Sequence, residues 1–254
     1  MLEFCDTHCH LQFPQYRLNS EEVLERAIKA GVTLLITVGT NGADSQQAVD
    51  FASRHDHVWA TVGLHPHHAK ALALAKPSLT NLIKQPQVVA VGECGLDYYY
   101  NHSPKDEQLA VLEWQIELAI KNHLPIIFHI RDAYDDFWPI VDKYHIPKAV
   151  AHCFSAGSLE LAEILKRGWY VGLNGIVTFS KDRGQLAAFK SVPLDKLLLE
   201  TDAPYLTPPP LRGKVNEPKN VVTVAEFLSD LKGEPLEKIA RVSTKNAQQL
   251  FGIK

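Results

Sequence analysis

The chain has 254 residues, 46% of them hydrophobic and 22% charged, with a formal net charge of −3. That composition is globular, and its acidic balance supplies no bulk positive field for holding nucleic acid non-specifically. Apolar runs of about eight residues fall far short of the roughly 20 that a membrane helix needs, so no membrane association is expected.

The opening MLEFCDTHCH carries an acid and no long apolar core, so a secretory signal is not expected and a cytoplasmic location is. Cysteines fall at 5, 9, 94 and 153, too dispersed for a zinc ribbon and too few for a disulfide framework. Cys9, Cys94 and Cys153 each adjoin a candidate metal ligand. Strand alternation predicts that their thiols point away from it into packing layers.

Taken in chain order, FCDTHCH (4–10) reads as a first strand. SEEVLERAIKAG follows as a helix, with Ser20 as its cap and Gly31 as a left-handed stop. VTLLITVG (32–39), VWATVGL (58–64) and VVAVGE (88–93) are the next strands. DEQLAVLEWQIELAIKN (106–122) places apolar residues at 109, 112, 116 and 120, the spacing of one buried helical face. PIIFHI (125–130) and AVAHCF (149–154) precede the helix SLELAEILKRGW, which stops at Gly168. YVGLN (170–174) and LLLET (197–201) complete the strands, and residues 221–252 read as two or three closing helices.

Eight alternations of strand and helix, with strands that are continuous apolar runs, predict a parallel sheet covered by helices. The expected fold is α/β: a single (β/α)8 TIM-type barrel over residues 1–254 with C-terminal closing helices. A doubly wound open sheet is the alternative.

Barrel enzymes carry their chemistry at the C-terminal ends of the strands. There the sequence puts Asp6, His8 and His10, then His65, His67 and His68, then Glu93, then His129 and Arg131, then His152, and finally Glu200 and Asp202. A lone histidine at a strand end is most often a hydrogen-bonded structural residue. Four histidines and several carboxylates on one rim would be costly without a partner, and a divalent cation supplies it. His8, His10, Glu93, His129, His152 and Asp202 are too many ligands for one open site, whereas two ions sharing Glu93 use them all. The mixture of donors leaves magnesium, manganese and zinc open as the cofactor.

The segments DTHCH, VGECGLDYYY, IIFHIRDA, AHCFSA and LLETDAPYLTP followed by RGKVNEPKNV resemble the TatD family of metal-dependent hydrolases, in order from Asp6 to Val221. The resemblance implies an amidohydrolase-like TIM barrel and a metal-dependent deoxyribonuclease, in some members a 3′–5′ exonuclease. By position it implies that His8 and His10 bind one ion with Asp202, that His129 and His152 bind a second, and that Glu93 bridges the two. It further implies that Asp202 orients or deprotonates the attacking water. Ala156 stands where the family commonly has glycine, and Val215 where it commonly has a basic residue. The latter removes a charge from a loop expected to face substrate.

His65 is a candidate catalytic group beside Asp202 and Glu93, able to hydrogen-bond a scissile phosphate or leaving group, while His67 and His68 read as caps of the following segment. Arg131 could grip phosphate in bidentate fashion or pair with Asp132 or Asp97. Arg212, Lys214 and Asn216 are candidate substrate contacts, with a solvated charged loop as the plain alternative. Tyr98, Tyr99 and Tyr100 could stack on bases, although packing of at least two of the three is the favoured reading. Asp6 shares a face with His8 and could fix its imidazole; Glu200 stands in the same relation to Asp202.

The expected activity is therefore a two-metal hydrolase attacking phosphodiester bonds at DNA ends, with no obligate protein partner evident. The alternative is a metal-dependent ester or amide hydrolase such as an aminoacyl-tRNA deacylase, since the same activated water attacks a carbonyl.

Overall fold

Eight strands form one parallel sheet in strict chain order: β1 (Phe4–Cys9), β2 (Val32–Val38), β3 (Val58–Val62), β4 (Val88–Asp97), β5 (Ile126–Arg131), β6 (Ala149–Ala151), β7 (Tyr170–Leu173) and β8 (Leu197–Leu199). The helices α1 (Ser20–Lys29), α2 (Gly42–Ala52), α3 (Leu72–Leu82), α4 (Lys105–Asn122), α5 (Tyr134–Val141), α6 (Ser158–Lys166) and α7 (Arg183–Ser191) alternate with them. Two more, α8 (Val221–Lys232) and α9 (Leu236–Phe251), follow β8. This is the topology of a (β/α)8 barrel. A doubly wound sheet would reverse its strand order at a switch point, and this one does not. The computed structural model describes residues 2–13 and 19–253.

Two compact units share the chain, residues 1–37 with 153–254 and residues 38–152. In the first, β1 pairs with β2, β7 pairs with β8, and Cys9 bridges to Ala203, so β1 is flanked both by β2 and by the segment leaving β8. In the second, β3 to β6 pair successively in parallel. Strand residues are buried on both faces, which is why these strands are apolar throughout rather than alternating. Among the described residues no helix is long and apolar enough to cross a membrane.

The structure corrects three local expectations. Asn19, not Ser20, caps α1: its side chain accepts from the Glu21 amide, while the Ser20 hydroxyl donates to the Leu11 carbonyl. β4 runs on to Asp97 instead of stopping at Glu93, because Gly92 and Gly95, at φ of 148° and 153°, carry the strand through geometry that side chains resist. On α4, Leu112 and Ile116 are buried as expected, but Leu109 is half-buried and Ile120 exposed. Gln108 and Gln115 lie buried beside them.

Candidate metal centre

In the first unit the period of two along β1 sets His8 and His10 on one face, both fully buried, with their rings 5.1 Å apart at 77°. Main-chain bonds bring the carboxylate to them. The Asp202 amide donates to the His8 carbonyl at 2.8 Å, and the His10 amide donates to the Ala203 carbonyl at 2.8 Å. Asp202 Oδ1 then lies 3.7 Å from His8 Nε2 and 3.4 Å from His10 Nε2. Asp202 holds a left-handed backbone (φ 55°), which aspartate tolerates better than most residues.

Asp6 braces this corner. Its carboxyl accepts from the Thr201 hydroxyl at 2.6 Å, from the Thr201 amide and from the His8 amide. Burial outweighs those bonds and pushes its pKa up to about 8. It therefore locks the backbone on either side of the ligand cluster rather than gripping an imidazole ring. Glu200 accepts from the Cys153 amide at 2.7 Å and from the Asn174 side chain at 3.1 Å. A Cβ at Gly172 would overlap the Glu200 carboxylate, so that glycine makes its room.

In the second unit Glu93, His65, His129 and His152 gather. Glu93 Oε1 lies 2.7 Å from His129 Nδ1, 3.4 Å from His152 Nε2 and 3.5 Å from His65 Nε2. The other His129 nitrogen, Nε2, meets Asp97 Oδ2 at 3.0 Å, and His67 Nε2 meets the same oxygen at 2.9 Å. Burial alone would raise the Asp97 pKa, but hydrogen bonds with His129, His67 and the Tyr100 amide hold it far below the usual carboxylate range. Burial would likewise lower His129, yet its bonds to Asp97 and Glu93 raise it to about 9. His65 goes the other way, lowered by burial to about 4.

Helix α4 fixes these positions. The Gln108 side chain accepts from the Asp97 amide and donates to the Asp97 and Ser103 carbonyls. Gln115 closes the same kind of pair on Leu64, immediately before His65. Asp97, His67 and the two glutamines belong to the site's frame, a role that their positions in the sequence do not announce. The period-two step from Glu93 to Gly95 to Asp97 was the signal available.

The donors fit a divalent cation. His8, His10 and Asp202 each offer a ligand atom within 4.8 Å of the others, and so do His65, Glu93 and His129. Cys153 departs from its expected place: it lies beyond the end of β6 at φ 49°, where strand alternation no longer applies, and its sulfur is within 4.8 Å of the Asp202 carboxylate. Cys9 and Cys94 are fully buried, in keeping with packing roles.

The expected substrate contacts sit as follows. Arg131 lies over the rings of Tyr99 and Tyr100. Arg212 lies over Phe179 at 3.8 Å and donates to the Thr207 carbonyl. Asn216 is buried, donating to the Thr201 and Tyr205 carbonyls and accepting from the Glu217 amide and Asn220 side chain. These bonds make Asn216 a staple of the loop. Lys214 is exposed, its carbonyl held by the Thr207 hydroxyl.

A family model described as TatD related DNase matches residues 5–252. The chain belongs to the TatD DNase family. It is 40% identical to the uncharacterised metal-dependent hydrolase YabD of Bacillus subtilis, covering 98% of both chains. Identity is 37% to the 3′-5′ ssDNA/RNA exonuclease TatD of Citrobacter rodentium, covering 98% of this chain and 97% of that one. The crystal structure of YJJV, a TatD homologue from Escherichia coli, superposes with a TM-score of 0.91 at 30% identity over 99% of this chain and 98% of that one. As a TatD family member the chain is a metal-dependent hydrolase.

Proposed function

We propose that this TatD family member is a two-metal 3′–5′ exonuclease that removes nucleotides from single-stranded DNA ends in the cytoplasm, with residues 1–254 acting as one hydrolase domain. The observation that carries the reading is the pair of imidazole–carboxylate clusters, one in each unit, in a chain similar throughout to 3′-5′ ssDNA/RNA exonucleases. That all four cysteines are free supports a reducing location.

His8, His10 and Asp202 would hold one ion, His129 and His152 the other, and Glu93 is the carboxylate we propose they share. Magnesium, manganese or zinc bound there would neutralise developing charge on the phosphoryl group and lower the pKa of an attacking water. The chain's own groups do the rest. Asp202 receives the proton of the attacking water. His65 Nδ1 accepts from the His67 amide at 3.1 Å, and its lowered pKa keeps the ring neutral. Its proton therefore sits on Nε2, which faces Glu93 Oε1 at 3.5 Å and, once Glu93 engages metal, would be available to the scissile phosphate or the leaving oxygen. Arg131, with Arg212 and Lys214 on the loop after β8, supplies positive charge for the strand's phosphates.

The test is release of label from 3′-labelled single-stranded DNA after chelation and metal add-back, for wild type and Glu93→Ala. The expected result is metal-dependent release that falls at least about 100-fold in the variant. Intact DNA with metal still bound would mean that the bond is wrong and would direct the search to esters of tRNA and small amides.

A further inference from the structure

Strand β4 ends in a loop that displays aromatic rings. Tyr99 and Tyr100 are 58% and 52% exposed, edge to face at 4.8 Å, with the Arg131 guanidinium 4.2 Å from the first ring centre and 5.2 Å from the second. His102 lies parallel to Tyr100 at 5.7 Å. Tyr98 is different: it is half-buried under the Lys105 ammonium, 3.8 Å from its ring centre.

The exposed rings are held, not loose. The Tyr98 amide donates to the Arg131 carbonyl at 3.0 Å and the Tyr100 amide to Asp97 Oδ1 at 2.9 Å. At the far end, the Ser103 hydroxyl donates to the His67 carbonyl, and Gln108 donates to the Ser103 carbonyl. Asp97 also receives His67 and His129, so the platform and the Glu93–His129 cluster share one carboxylate as an anchor. Two adjacent tyrosines more than half exposed lose the burial that would normally justify large aromatics, and Arg131 needs only one ring for its own packing.

We propose that Tyr99, Tyr100 and Arg131 form a stacking platform for an unpaired nucleobase beside the metal centre, with Arg131 facing the phosphate of the same nucleotide. The inference rests on the nucleic-acid reading above and narrows it. A ring face accepts any base, so the platform selects for unstacked strands rather than for sequence. A base within a duplex has both faces covered and would not lie on it.

The test is fluorescence anisotropy of the metal-replete protein with a short 5′-labelled oligothymidylate, against the same strand made abasic, both with non-cleavable phosphorothioate linkages. Tyr99→Ala/Tyr100→Ala should weaken binding of the thymidine strand about tenfold or more, leaving the abasic strand nearly unchanged. Tyr99→Phe/Tyr100→Phe keeps the ring faces and should bind like wild type, which separates stacking from damage to the loop. Equal weakening on both strands, or no weakening on either, overturns the platform. Tyrosine-dependent preference for the based strand, from a protein that hydrolyses neither ordinary strand, leaves the platform standing and sinks the nuclease reading. Hydrolysis of ordinary single strands that is indifferent to the tyrosines does the reverse.

Discussion

Asp97 holds two imidazoles on one oxygen and a backbone amide on the other. A carboxylate on the far nitrogen of a ligating histidine fixes the ring's orientation and raises its basicity. Asp97→Asn should therefore weaken divalent-ion affinity about 10- to 100-fold while the fold survives, read by competition with a chelating dye. Unchanged affinity would remove Asp97 from the site. His129 makes a second prediction, about pH. Folded, metal-free His129 titrates near 9 against an ordinary 6.5. Its stabilising contribution is thus complete below pH 6.5 and lost as pH rises towards 9. A bound cation needs the neutral ring and displaces that proton. The gap in melting temperature between metal-replete and chelator-treated protein should widen from pH 6.5 to 9, and a constant gap would contradict this. The candidate donors could be picked out from residue order, because histidine and carboxylate at strand ends have few cheap alternatives. Asp97 could not, because its meaning depends on a strand that continues through two glycines.

Among elements, α4 shows how apolar periodicity misleads. Its buried stripe includes Gln108 and Gln115, whose amides complete the backbone bonding of Asp97 and Leu64. Polar residues that bond main chain across elements carry no period of their own, so a pattern of leucines and isoleucines overlooks them. Gln108→Leu keeps approximate volume but leaves the Asp97 amide and two carbonyls without that partner. The expected cost is about 1–3 kcal/mol in urea denaturation, with weakened metal binding. A neutral result would show that the loop re-pairs elsewhere. The eight strands were legible to within a few residues, since continuous β-branched runs have one stable use between helices. The tyrosines after β4 were not: sequence favoured packing for at least two, and two stand more than half exposed. Whether a tyrosine packs depends on how its loop is tied, here by Asp97, His67 and Gln108.

For the whole molecule, the sheet runs in chain order and the segment after β8 pairs with β1, so His8 and Asp202, 194 positions apart in sequence, meet in one cluster. Each unit supplies its own candidate donor cluster, His8, His10 and Asp202 in one, Glu93, His129 and His152 in the other. Family membership makes metal dependence general to the chain, and the number of ions is what distinguishes the proposed mechanism from a one-ion alternative. Titration calorimetry of the chelated protein with manganese, paired with elemental analysis of the loaded protein, counts them. Wild type should take up two ions per chain and His10→Ala/Asp202→Ala one. A single ion in wild type, or two that persist in the variant, would contradict the two-ion mechanism.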